Sequence, residues 1–160
     1  MVTNGYSQNQ QPTHYPQKGI GSVNEKVVNS VSGWTFDSLL VIHFHPTAQC
    51  SCCINVGNFS KKGLEKFYSK PYKEKRIIFR EYDIDKDSLI AKRYKIFWSA
   101  LGFERFSGKE KEFKEIESVW KFCEDKEKFL LNFTKELNAF ILEDEKSKTQ
   151  HKNNAKGDGN

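Results

Sequence analysis

Between Phe36 and Asp144 the chain alternates short runs of bulky apolar residues with amphipathic stretches. Leu39-Leu40-Val41-Ile42-His43-Phe44-His45 is rich in branched side chains and is closed by Pro46, which predicts a central buried strand. From Ile54 to Tyr68 the apolar positions Val56, Phe59, Leu64 and Phe67 fit a helix, which should end before Pro71. Arg76 to Asp85 carries Ile77-Ile78-Phe79 and then Tyr82 and Ile84, the pattern of a second strand. Asp87 stands where it can cap a helix whose apolar face is Leu89, Ile90 and Tyr94. Ala100 to Phe106 reads as a third strand, Ser107-Gly108-Lys109 as a turn, and the residues around Phe113 as a short fourth strand. Ile116, Val119, Trp120 and Cys123 lie at i, i+3, i+4 and i+7, so a helical stripe is expected to carry Cys123 into the core. Asp125 then caps a last helix in which Phe129, Phe133, Leu137 and Ile141 recur every four residues.

The order β-α-β-α-β-β-α-α implies an α/β sandwich with a central mixed sheet of about four strands flanked by helices. It resembles the order of a thioredoxin-like core. With 160 residues, and all 13 phenylalanines between Phe36 and Phe140, one domain over 36–144 is expected. Residues 1–35, polar and glycine-containing, read as a disordered or tethering segment, and 145–160 as a solvated tail in which His151 is inert. Gly19 and Gly21 open a GxG, but Asn24 replaces the third glycine of a dinucleotide fingerprint and no strand precedes it.

Charge narrows the function. Twenty-six Lys and Arg against 21 Asp and Glu leave a net +5, and the lysines are interleaved with glutamates, as in Lys109-Glu110-Lys111-Glu112. A nucleic-acid binder concentrates its basic residues, so none is expected as a partner. No stretch is apolar and long enough to span a bilayer, and the N-terminus lacks the basic and apolar regions of a secretory signal. The compartment stays open, and is extracytoplasmic if a signal or anchor has been trimmed. The sequons at Asn58 and Asn132 fall in expected helices and are read as silent.

The chemistry gathers at Cys50-Ser51-Cys52-Cys53, three of the four cysteines within four positions. A disulfide-stapled scaffold would spread its cysteines, so the cluster points to chemistry. Cys50 and Cys53 form a C-x-x-C just after a buried strand and at the start of a helix, where unpaired N–H groups and the helix dipole favour a thiolate. Cys50 is the expected nucleophile and Cys53, about one turn on, the resolver. Cys52 is either a spectator or a third soft ligand, and Cys123 a core residue. His45 lies near the cysteines, placed to pair with a thiolate or ligate a metal; the alternative function is therefore soft-metal binding, Cu(I) or Zn(II), through Cys50, Cys52, Cys53 and His45. His43 and His45 share the sheet face opposite Phe44.

Phe44-His45-Pro46-Thr47-Ala48-Gln49-Cys50-Ser51-Cys52-Cys53, with Tyr82-Asp83-Ile84-Asp85, Val119-Trp120 and Asp125-Lys126-Glu127-Lys128-Phe129, resembles the thioredoxin-like ArsF family, described as a nitrophenyl compound nitroreductase subunit. The likeness spans about 39–142. Against the family pattern F-H-G-T-x-R-C-x-x-C, Pro46 replaces the glycine and Gln49 the arginine. The resemblance implies a thiol–disulfide oxidoreductase or electron carrier whose partner is a protein thiol or disulfide, a reductase subunit among the candidates. It places His43 near where thioredoxins keep a buried acid that serves the resolving cysteine, so His43 joins Cys50 and Cys53 as a catalytic candidate, the alternative being a satisfied buried histidine with a structural role. It also sets Phe97-Trp98-Ser99-Ala100 where thioredoxins carry a cis-proline facing the cysteines; Trp98 and Ser99 are read as binding residues, and without proline an ordinary trans peptide is expected there. No cofactor is called for, nitroreduction is not carried over, and a monomer is expected.

Overall fold

The computed structural model describes Trp34 and residues 36–154, with side chains as far as residue 143. Of the expected N-terminal tether only Trp34 is among the described residues, and the final residues 155–160 lie outside them. In chain order the elements are β1 (Ser38–His45), α1 (Ser51–Phe67), α2 (Ser69–Lys73), β2 (Ile77–Asp83), α3 (Ser88–Tyr94), β3 (Ala100–Ser107), β4 (Glu110–Glu115), a 3₁₀ turn (Glu117–Phe122) and α4 (Lys126–Asn154).

The four strands form one open mixed sheet in the order β2-β1-β3-β4. β1 runs parallel to β2 and antiparallel to β3, and β3 and β4 form a hairpin. Gly108 supplies that hairpin's left-handed residue, at φ 60°. The α/β class and the mixed four-stranded sheet agree with the sequence reading.

Alternation along β1 builds two cores. Leu39 and Val41 face a large core with Leu101 and Phe103 of β3, Val56 and Leu64 of α1, and Phe129, Phe133, Leu137 and Ile141 of α4. All four α4 residues are fully buried, and Asp125 caps the helix by accepting the Lys128 N–H at 3.1 Å. Ile42 and Phe44 face a smaller core covered by Ile90 and Tyr94 of α3 and by Ile96. Trp34 also belongs to the large core, stacked on Phe36 with ring centroids 4.9 Å apart.

Several local expectations change. α1 begins at Ser51 with Cys50 at its N-cap, as the C-x-x-C reading expects, three residues ahead of the apolar pattern that opens at Ile54. α1 ends at Phe67, before Pro71 as expected, and Pro71 lies within the first turn of the additional short helix α2, where a backbone N–H would have no helical acceptor and its absence is tolerated. Asp87 occupies the N-cap position of α3, but its carboxylate accepts the Asp83 N–H at 3.2 Å instead of capping the helix. Leu89 is exposed, so the apolar face of α3 is Ile90 and Tyr94. The stripe ending at Cys123 is a 3₁₀ turn, and α4 continues to Asn154, into the stretch read as a tail.

Candidate active site

The site lies where β1 ends, α1 begins and the chain enters β3. Two anchors fix the connection from β1 to α1. The Ile84 N–H donates to the His45 carbonyl at 2.8 Å, extending the β1–β2 pairing by one step. Thr47 donates its N–H to Asp85 Oδ2 at 2.8 Å and its hydroxyl to Asp83 Oδ2 at 2.7 Å. The Thr47 hydroxyl, followed by Lys86 and the Asp85 N–H, holds the Asp83 carboxyl down to about 2. The loop carrying Cys50 is thus tied to the end of β2.

Cys50 occupies the N-cap of α1 with extended backbone (φ −77°, ψ 166°), and its carbonyl accepts the Ile54 N–H at 3.1 Å. It is exposed and a free thiol. Cys53, in the same first turn, is free and buried. Its Sγ lies 3.5 Å from His43 Nε2 and 3.4 Å from Ser99 Oγ. Burial pushes the Cys53 thiol up, the Ser99 hydrogen bond partly offsets this, and the charges of Cys50 and Glu81 add to the rise. Cys53 is therefore a protonated thiol at neutral pH.

His43 is 1% exposed. Burial, then the charge of His45, pulls its pKa from 6.5 to about 4 against the opposing pull of Glu81, so the imidazole is neutral at pH 7. Its Nδ1 is 3.6 Å from Glu81 Oε1, and Glu81 Oε2 receives Lys61 Nζ at 2.6 Å. Burial alone would raise the Glu81 carboxyl, but Lys61 and then His43 outweigh it and hold the group below its ordinary range. The parallel register pairs His43 with Glu81 directly. Gly57 of α1 is required over this pair: a Cβ there would stand 2.8 Å from His43 Nδ1 and 3.0 Å from Glu81 Oε1.

The sequence-derived candidates divide clearly. Cys50, Cys53, His43 and Ser99 come together. Trp98 lies on the rim, 58% exposed beside Phe97, with its indole N–H 3.3 Å from Glu115 Oε1. The peptides of that segment are trans. The His45 ring lies tilted beside that of His43, ring centroids 5.4 Å apart, and its Nδ1 lies 3.0 Å from the Pro46 carbonyl. Cys52 and Cys123 need correction. They are joined in a disulfide with Cα atoms 5.1 Å apart, so Cys123 is more than a core residue and Cys52 is not available as a third ligand. Among the described residues no group of three or more His, Cys, Asp or Glu side chains is gathered as a metal ion would need. That disulfide is not the C-x-x-C pair.

Sequence reasoning missed Glu81, Lys61 and Gly57, as well as Phe97 and Ile54, apolar side chains exposed close in the chain to Ser99 and Cys50. Strand alternation in β2 puts Glu81 on one face with Phe79 and Asp83, but only the register with β1 brings it to His43.

Chemically, the arrangement offers an exposed thiol at a helix N-terminus, a buried thiol within the same turn, and a neutral imidazole at the second thiol with a carboxylate behind it. No helix among the described residues is long and apolar enough to cross a membrane. No family model matches the chain, and no curated protein matches it.

Proposed function

We propose that this chain is a thioredoxin-like thiol–disulfide oxidoreductase that exchanges disulfides with a protein partner through Cys50 and Cys53. The observation that carries the reading is the pairing of an exposed free thiol at the N-cap of α1 with a buried free thiol held by His43 and Ser99. The sheet order β2-β1-β3-β4, with the C-x-x-C directly after the central strand, supports a thioredoxin-like core. The likeness of 44–53 to the ArsF family points the same way and suggests a reductase subunit as partner.

In this reading the Cys50 thiolate attacks a partner disulfide, forming a mixed disulfide and releasing one partner thiolate. Cys53 loses its proton to His43 Nε2 and attacks Cys50 Sγ. The Cys50–partner bond breaks, its electron pair leaves with the partner sulfur, and a Cys50–Cys53 disulfide remains. Two electrons pass to the partner, whose two thiolates take protons from water. The aromatic rim of Trp98 and Phe97 covers the entering segment, and Ser99 holds Cys53 in place.

Cys53→Ser should trap the intermediate. Incubated with a disulfide-containing partner or with oxidised glutathione, the variant accumulates a mixed disulfide mapped by mass to Cys50, whereas Cys50→Ser accumulates none. Absence of any adduct on Cys50 in the Cys53→Ser protein contradicts the reading.

A further inference from the structure

We propose that Glu81, held by Lys61 and admitted by Gly57, is the outlet for the Cys53 proton during resolution, acting through His43. The inference rests on the exchange reading and adds a positioning residue that reading does not require. His43 is enclosed by Cys53, Gly57 and Lys61 of α1, by His45 on its own strand, by Glu81 of β2 and by Trp120 of the 3₁₀ turn. The carboxylate in this shell is Glu81. The exchange reading needs Nε2 to accept the Cys53 thiol proton, and in that tautomer Nδ1 is the donor side of the neutral ring. That Nδ1 is buried without a hydrogen-bond partner and points toward Glu81 Oε1 at 3.6 Å. A closure of roughly half an ångström makes the bond.

The need for the outlet follows from burial. A buried imidazole that takes a proton on Nε2 while keeping Nδ1–H must hold a full charge away from water, and the fold disfavours that charge. Passing Nδ1–H to Glu81 as Nε2 receives the thiol proton avoids it. Glu81 is 37% exposed and returns the proton to solvent. The ring is left as the Nε2–H tautomer, which is the form that gives the proton back to Cys53 when the Cys50–Cys53 disulfide is reduced. Gly57 is the independent sign: α1 gives up a side chain where one would fill the space between Nδ1 and Oε1. Lys61 works against proton uptake at Glu81, because its ammonium holds the carboxylate charged.

Two variants with opposite effects test the relay, read with one equivalent of the aromatic disulfide 5,5′-dithiobis(2-nitrobenzoate). The first release of thionitrobenzoate reports attack by Cys50, and the second reports resolution by Cys53. Glu81→Gln should slow the second release roughly 10-fold near pH 7, whereas Lys61→Met should speed it. Nitrogen-15 spectra of His43 should switch from the Nδ1–H to the Nε2–H tautomer on oxidation of the wild type. Equal rates in all three proteins, a change of the same sign in both variants, or one tautomer in both redox states overturns the relay while a second release in wild type leaves the exchange reading standing. Absence of a second release from wild type removes both. Lys61→Met alters a surface side chain, so it still decides the sign if Glu81→Gln fails to fold.

Discussion

Around the first turn of α1 two cysteine pairs lie side by side. Cys52 turns toward the large core and is joined to Cys123, tying α1 to the residue after the 3₁₀ turn across 71 positions of chain. Asn55 fastens the same point, its Nδ2 donating to the Cys123 carbonyl at 3.0 Å. Cys53, about 100° further round the helix, turns to β1 and stays a thiol between an imidazole and a hydroxyl. The first pair has apolar surroundings and a backbone anchor, suited to holding elements together. The second has a proton acceptor, a carboxylate behind it and an exposed partner thiol, suited to exchange. Adjacent positions thus acquire different surroundings and oxidation states from the side of the helix they occupy rather than from their spacing in sequence.

The largest effect that sharpens this contrast is on stability. Replacing Cys52 and Cys123 together by serine should lower the unfolding free energy by about 4 kcal/mol, the chain-entropy value for a loop of this length. Mixed-disulfide chemistry at Cys50 should persist in the folded fraction. Urea denaturation with a parallel trapping assay checks it; loss of exchange from a folded double variant would show that the two pairs are not separate.

Next comes the acid limb of the stability curve. The folded pKa of His43, about 4, lies below its ordinary 6.5, so the unfolded chain binds the proton first as pH falls. The stability that depends on neutral His43 is complete above pH 6.5 and is lost as pH drops toward 4, a change of about 3 kcal/mol. His43→Asn should flatten the curve over this interval while Cys52–Cys123 stays intact. Unfolding free energies at pH 7.0, 5.5 and 4.5 measure it, and equal slopes for the two proteins would contradict the buried neutral imidazole.

Gly57→Ala gives the smallest effect with the most informative sign. In an unobstructed helix interior alanine stabilises by up to about 1 kcal/mol relative to glycine. Here the added Cβ meets His43 and Glu81, and overpacking should instead destabilise by about 1–3 kcal/mol. Thermal unfolding decides between the two signs.

The strands, the large core and the α4 cap were legible in sequence because each depends on a short local pattern. Leu39 to His45 is one apolar run, and Phe129, Phe133, Leu137 and Ile141 repeat at helical spacing behind Asp125. The alternation of β1 also placed His43 on the correct face. The C-x-x-C was visible, but the partner of Cys52 was not: Cys123 reaches it only through the position of the 3₁₀ turn, which no local pattern sets. Glu81 escaped for a similar reason, since the register of two parallel strands separated by α1 and α2 is a tertiary property. Asp87 takes the N-cap position that the sequence predicts, but its carboxylate accepts the Asp83 N–H, a contact across the preceding turn that no helical pattern announces.

The central claim is that Cys50 and Cys53 exchange while Cys52 and Cys123 hold the fold. Differential alkylation with mass mapping after equilibration in a series of glutathione buffers tests it most directly. A reversible two-electron transition is expected, in which Cys50 and Cys53 pass together between labelled thiols and a disulfide while Cys52 and Cys123 stay unlabelled throughout. A transition confined to Cys52 and Cys123, or a Cys50 that never pairs with Cys53 at any poise, contradicts it.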